Sequence, residues 1–507
     1  MRTGARRLKH LILVVVAATL LAVASAQTLT IAHNQDPVTL NPLLTTAAAN
    51  EAIIQATMEK LAVFEPGTMR TIPWLLDGWE FRSETELVLT LKPGISFSNG
   101  EPLNAEAVRF SIDAWRQQPV MAQASAGLKD AELEVVDDLH LIVRTKAPVP
   151  TLITRLGRYG YVVPPAYYAE VGPEGFGQAP IGTGPYLFDA HEAGSRVLFS
   201  RNDAYWRGTP GYEHVVFRIM PDDFARGAAL EAGEVDIAYL LSDTAADRLQ
   251  SVDGVEVPSL LGLRKFLAAY NAEMPGGEPL LDPNVRLALN YAVDVQAIVD
   301  SVFGGKAATL GGEFALPAEF GYSEVEPFGY DPERARQMLA AAGYPNGFPV
   351  TLAYTVGTYP KDKEVGEILA SYLESVGLTV TQRALEWGQF NTERKERTLG
   401  HIIAFGLLFS PDLDFTFNYM AFGKEARGAP LLTWSDEWWT AYNESARTVD
   451  PDRRAELYAQ LLQIDRESPY GIYLFAPYDY YGTRTTVEGF VPREDQFLFL
   501  YDVKPKD

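Results

Sequence analysis

The sequence predicts a mixed α/β protein whose sheets are at least partly parallel, and three observations lead there. From Pro349 to Leu385 a strand, a helix and a second strand follow one another, the spacing of a βαβ crossover. Apolar residues recur with period 2 in some segments and with helical spacing in others, along the whole chain. The composition is 47% apolar with no cysteine and no long Pro, Ser or Gly tract, so a chain of 507 residues must rest on large hydrophobic cores in two or three domains.

The elements follow in order. Thr28 to Ala32 alternates as an opening strand, and Leu87, Leu89 and Leu91 alternate in a second one that ends at the Pro93-Gly94 turn. Asn104 is an N-cap for a helix carrying Val108, Ile112 and Trp115 on one face. Leu139, Leu141 and Val143 form another strand. Residues 164–185, rich in Pro, Gly and Tyr, read as a long loop or domain crossing. In the βαβ unit, Pro349 to Thr355 is a strand and Lys361 to Val376 a helix with Val365, Ile368, Leu369, Tyr372, Leu373 and Val376 at core spacing. Gly377 ends it, and Leu378 to Leu385 is the return strand. Gly400 to Phe409 is nearly all apolar, as a strand covered on both faces would be. Two helices follow, Ser435 to Arg447 and Asp450 to Glu467, the second with Asp450 as cap and Pro451 in first position.

The first 26 residues read as a cleavable export signal. Arg2, Arg6, Arg7 and Lys9 precede an apolar run from Leu11 to Ala24 broken only by Thr19, and Ala24-Ser25-Ala26 supplies the small-x-small cleavage pattern before Gln27. The run falls short of the about 20 residues a membrane span needs. With Gln27 and not Cys after the cut, the expectation is a free periplasmic protein without a lipid anchor. The segment holds four basic residues and no acid, so its removal takes the formal charge from −23 to −27. Such acidity disfavours nucleic acid and anionic membrane as partners.

No catalytic pattern survives inspection. His191-Glu192 has Ser195 where a zinc-binding helix needs its second histidine, and the six histidines show no metal spacing. Gly304-Gly305-Lys306 lacks a phosphate loop's earlier glycine and following hydroxyl, with Asp300 and Ala307 in those places. Gly182-Thr183-Gly184 runs into Pro185 without a third glycine, and acid pairs such as Asp222-Asp223 read as solvated surface. No cofactor, metal or enzyme activity is expected. The aromatic content, 25 Tyr, 25 Phe and 8 Trp, serves core packing first and also suits walls that enclose an organic ligand.

Four segments in order then resemble the extracellular solute-binding protein family 5, the peptide, nickel and related binders of ABC importers. They are Phe97-Ser98-Asn99-Gly100-Glu101-Pro102-Leu103; Pro180-Ile181-Gly182-Thr183-Gly184-Pro185-Tyr186 with Arg201-Asn202-Asp203-Ala204-Tyr205-Trp206; Asn271 with Asp282-Pro283-Asn284-Val285-Arg286 through Asp294; and Tyr330-Asp331-Pro332-Glu333-Arg334-Ala335 through Tyr344. The resemblance covers essentially the whole mature chain. It implies a two-lobed periplasmic binding protein of type II-like fold (cluster C), with an extra domain inserted in the N-terminal lobe. Domain I would be 27–65, 181–269 and 471–507, domain II 66–180, and domain III 270–470, with lobe crossings near Tyr270-Asn271 and Ser468-Pro469-Tyr470.

The resemblance also implies a monomer that closes on a small-molecule ligand and delivers it to ABC permease subunits. A peptide is the first expectation; a short oligosaccharide, another small organic solute or a metal chelate is the alternative, and a secreted hydrolase is the other class. Peptide binders of the family carry a W-x-A-D-Y…D-P-D stretch whose Asp holds the peptide amine. The matching stretch runs from Ile403 through Ala404, Phe405 and Leu407 to Asp412 and Asp414, and anchoring on Pro411-Asp412 puts Leu407 at the amine position. A shifted register would let Asp412 or Asp414 replace the missing acid. Glu386-Trp387 matches a pair whose indole faces the ligand, and Thr45, Thr46 and Ala47, after Asn41-Pro42, match the opposite side of the cleft.

Overall fold

The computed structural model describes residues 28–506 apart from 122–124, 126, 360, 409–410, 422–433 and the side chain of Lys395. The expected export signal and Gln27 lie outside the described residues. Among the described residues no helix is long and apolar enough to cross a membrane.

The described strands gather into two large sheets, of nine and five strands, a separate four-stranded one and two two-stranded ribbons. In the first, Thr28–His33 lies between His214–Ile219 and Ile237–Leu241 and runs parallel to both. Its central place explains why Leu29 and Ile31 are fully buried. The hairpin of Tyr186–Glu192 and Arg196–Arg201 extends one flank, and the long strand Phe475–Arg484 extends the other, with the short strands Val255–Glu256, Ser259–Leu261 and Ala307–Thr309 paired along its far side. This sheet carries the first lobe.

The five-stranded sheet of the second lobe orders Thr379–Leu385, Pro349–Thr355, Ile402–Leu408, Arg264–Tyr270 and Gly471–Tyr473. The βαβ unit is present: Pro349–Thr355 and Thr379–Leu385 pair in parallel over their full length, joined by the helix Asp362–Ser375, which buries Val365, Leu369 and Leu373. Ile402–Leu408 sits between a parallel and an antiparallel neighbour, and Ile402 to Gly406 are buried. The four-stranded antiparallel sheet, Leu76–Ser83, Glu86–Leu91, His140–Arg144 and Glu132–Asp137, lies within 66–180. Beside it packs the helix Ala105–Arg116, capped as expected by Asn104, whose side chain accepts from the Ala107 amide. Asp450 caps Pro451–Glu467 in the same way.

Two expectations are corrected. Residues 165–178 form a helix and not a loop. Pro165 occupies the first turn, where its missing N–H costs nothing, and Gly172 at φ 72° takes the left-handed kink before Pro173. The lobe crossings also lie elsewhere. Ser259–Leu261 pairs with Tyr478–Tyr480 in the first sheet, whereas Arg264–Tyr270 already belongs to the second, so the outward crossing is Gly262-Leu263. The return is at Pro477: Phe475 and Ala476 still pack in the second-lobe cores beside the strand Ala307–Thr309, and from Tyr478 onward the strand Phe475–Arg484 pairs with Ser259–Leu261 of the first lobe. Tyr270 and Tyr470 cannot bend at a hinge, because both are fully buried in the second lobe. A Cβ at Gly262 would stand 2.4 Å from Asp479 Oδ2, so the crossing strand approaches Asp479 as only glycine allows.

Candidate functional site

Both lobes contribute loops and strand ends to one cavity of about 1080 Å³. The first lobe supplies Asn34 and Gln35, just past its opening strand, Thr46 to Ala49 at the start of the helix Ala48–Ile54, Leu240 to Ser242, and Tyr478 with Asp479. The second supplies Arg264 and Phe266 from its hinge strand, Gly357 to Tyr359, Trp387, Leu407, and Phe415 with Tyr419. Arg158 and Tyr159 enter from 66–180.

One wall is aromatic and held in place. Phe266 meets Tyr359 edge-on with ring centroids 5.0 Å apart, and Tyr359 meets Trp387 edge-on at 6.5 Å. The Tyr359 hydroxyl donates to the Gly406 carbonyl at 2.9 Å, and Trp387 lies parallel to Phe390 at 5.9 Å while remaining 42% exposed. A large indole left open beside a fixed aromatic pair offers a stacking face. Deep on the first-lobe side, the Tyr239 hydroxyl donates to the Gln496 carbonyl at 2.8 Å, and Gln496 Nε2 donates to Asp479 at 2.9 Å. Burial pushes the Asp479 carboxyl up to about 6.

Of the residues expected at the site, Thr46, Ala47, Leu407 and Trp387 stand on the cavity wall. Thr45 lies behind it, its hydroxyl accepting from the Ala47 amide and Asn50 Nδ2, and so shapes the turn. Ala404 and Phe405 are buried in the strand Ile402–Leu408 and do not line the cavity. Asp412 and Asp414 do not line it either. Asp412 pairs with Arg454 at 3.1 Å and accepts from the Tyr458 hydroxyl, and Asp414 pairs with Arg155 at 3.0 Å. Each carboxylate is buried and already meets a protein cation, the arrangement that offsets its burial cost.

The sequence reading did not single out the arginines at positions 158, 226, 264 and 394, all on the wall. For Arg394 a signal existed. It stands seven residues after Trp387 on the helix Trp387–Glu396, two turns along the same face. Arg264 and Asp479 had none, since only the fold brings their strands together. Among the described residues no group of three or more His, Asp or Glu could hold a metal. The site offers stacking faces and fixed charges.

The sequence profile described as "Bacterial extracellular solute-binding proteins, family 5 Middle" matches residues 70–428. The glutathione-binding protein GsiB of Pectobacterium atrosepticum is 31% identical over 326 residues, 63% of this chain and 62% of that protein. The dipeptide-binding protein of Escherichia coli K12 is 27% identical over 481 residues, 88% of each. Among solved structures, HbpA2 from Haemophilus parasuis superposes with a TM-score of 0.81 at 25% identity, over 95% of this chain and all of that one.

Proposed function

The chain belongs to family 5 of the bacterial extracellular solute-binding proteins, and from that membership we propose that it captures short peptides for an ABC importer. The carrying observation is the cavity itself, whose walls come from both lobes. A ligand there touches both walls at once only when the lobes are closed, so binding favours closure, and closure is what a permease can read. Relatives named for dipeptide and glutathione binding support a peptide as the ligand. The protein works as a monomer, binds stoichiometrically, and does not turn its ligand over.

Calorimetry with a panel of di- and tripeptides tests this. Saturable one-to-one binding of a peptide that is recovered intact is expected; a sugar that binds while every peptide fails would replace the reading. Trp387 is proposed to stack on the ligand. One aromatic contact contributes about 0.5–1.5 kcal/mol beyond the area it buries. Trp387→Ala should therefore weaken binding by about tenfold with the melting temperature nearly unchanged, because the indole is half open. A collapse of thermal stability would make Trp387 a packing residue.

Export with cleavage before Gln27, leaving no lipid, completes the proposal. The intact mass of the exported form should correspond to a chain that starts at Gln27; a form that keeps Met1 would contradict it.

A further inference from the structure

The cavity's charge runs against that of the chain. The sequence holds 43 basic residues against 66 acidic ones, yet among the described residues the wall carries four arginines and two carboxylates, Asp223 and Asp479. Arg158 donates to both oxygens of Glu51 at 2.6 Å, and Lys60 shares the same carboxylate at 3.1 Å. Arg226 is buried and donates to the carbonyls of Met220, Pro221 and Leu240, with no carboxylate in hydrogen-bond contact among the described residues. With Glu51 and Lys60 included, five described cations stand against three described carboxylates.

Two of the arginines have room for a partner. Arg264 sits over the Tyr359 ring at 5.5 Å; its charge acts on the Asp479 carboxyl, but the two form no direct ion pair among the described residues. Arg394 donates to Asn391 Oδ1 at 3.1 Å, stands beside the Tyr419 hydroxyl and lies over Phe405 at 5.7 Å, again without a described carboxylate. Both are half-buried and both rise from the second lobe. An arginine fork matches a carboxylate with two parallel hydrogen bonds. When the lobes close, water leaves, and a guanidinium without an anion is costly to bury. A neutral ligand therefore leaves that cost standing, whereas an anionic one removes it.

We infer that the cleft selects carboxylate-rich ligands, an acidic peptide over a neutral one, and that Arg264 and Arg394 are the residues that read the additional carboxylates. The inference rests on the peptide reading above and deepens it. Aromatic rings beside both guanidiniums hold them in place through cation–π contacts, so the specificity is built before the ligand arrives.

Two isosteric tripeptides test it by calorimetry on the full mature chain: Ala-Glu-Ala and Ala-Gln-Ala. The acid should bind more tightly by about tenfold or more, the scale of one charge-assisted pair. Arg264→Gln and Arg394→Gln should each pull that ratio toward one while the melting temperature stays near the wild-type value. Arg394→Lys, which keeps the charge but loses the fork, should give an intermediate ratio. Equal binding of the two tripeptides, or variants that weaken both by the same factor, overturns the inference. Inorganic phosphate that displaces Ala-Glu-Ala as well as a dicarboxylate does would overturn the assignment to carboxylates. If no peptide binds, the peptide reading fails, and succinate against its diamide decides the inference separately. Preference for succinate that is lost in the arginine variants upholds it; no preference, or no binding of either, overturns it.

Discussion

Glu59→Ala should lower the unfolding free energy by about 3–5 kcal/mol, because four donors, three buried and Trp206 half-buried, lose their acceptor and each buried orphan costs on the order of 1 kcal/mol or more. Trp74 Nε1 at 2.9 Å and the Tyr205 hydroxyl at 2.7 Å donate to one oxygen of Glu59. The Thr183 hydroxyl at 2.7 Å and Trp206 Nε1 at 2.9 Å donate to the other. Burial alone raises the carboxyl's pKa, and these four donors act against it. Glu59→Gln should recover little, since its amide NH2 would face two donors in place of an acceptor. Denaturant midpoints of the two variants measure this. An alanine variant within about 0.5 kcal/mol of wild type, the range of an ordinary surface change, would show that the four bonds are not what holds Trp74 to the first lobe.

Asp414→Asn is the second large effect expected, and it separates two roles for that acid. Arg155, from the 66–180 segment, reaches across to Asp414 of the second lobe at 3.0 Å, and its guanidinium lies over the ring of Phe415, a wall residue, at 4.7 Å. Both side chains of the pair are at least nine-tenths buried. Breaking a buried pair by removing one charge costs about 3–5 kcal/mol, and here the loss falls on the arrangement in which the two sides touch. Apparent affinity should drop by up to about a hundredfold, since it scales with the population of the binding-competent form. As a latch, Asp414 matters equally to free and N-acetylated peptides, and Arg155→Leu should give a similar loss. With Leu407 on the wall, N-acetylation itself should cost the wild type less than about tenfold. A loss in Asp414→Asn confined to free-amine peptides would instead make Asp414 the amine acceptor.

How far the sequence could be read depended on the distance over which each feature is specified. The βαβ unit at 349–385 was legible because its hydrophobic periods are local and its two strands pair in register around their own crossover. The 165–178 helix was not, because Gly172 and Pro173 look like loop residues until the kink between two helical runs is seen. Thr183, Tyr205 and Trp206 stood out in sequence motifs, yet their shared acceptor Glu59 lies 124 residues or more away. The same limit applies to the acids after the strand Ile402–Leu408. Spacing cannot tell whether Asp414 meets a ligand or Arg155, which is 259 residues earlier. Trp387 and Leu407 were found through resemblance, whereas the cleft arginines belong to separate elements that only the folded lobes assemble.

Small-angle scattering of the mature protein, with and without a peptide that calorimetry shows to bind, tests lobe closure most directly. The radius of gyration should fall on saturation, with one peptide bound per chain, as the lobes turn about Gly262-Leu263 and Pro477. An unchanged profile at saturating peptide would contradict capture by closure.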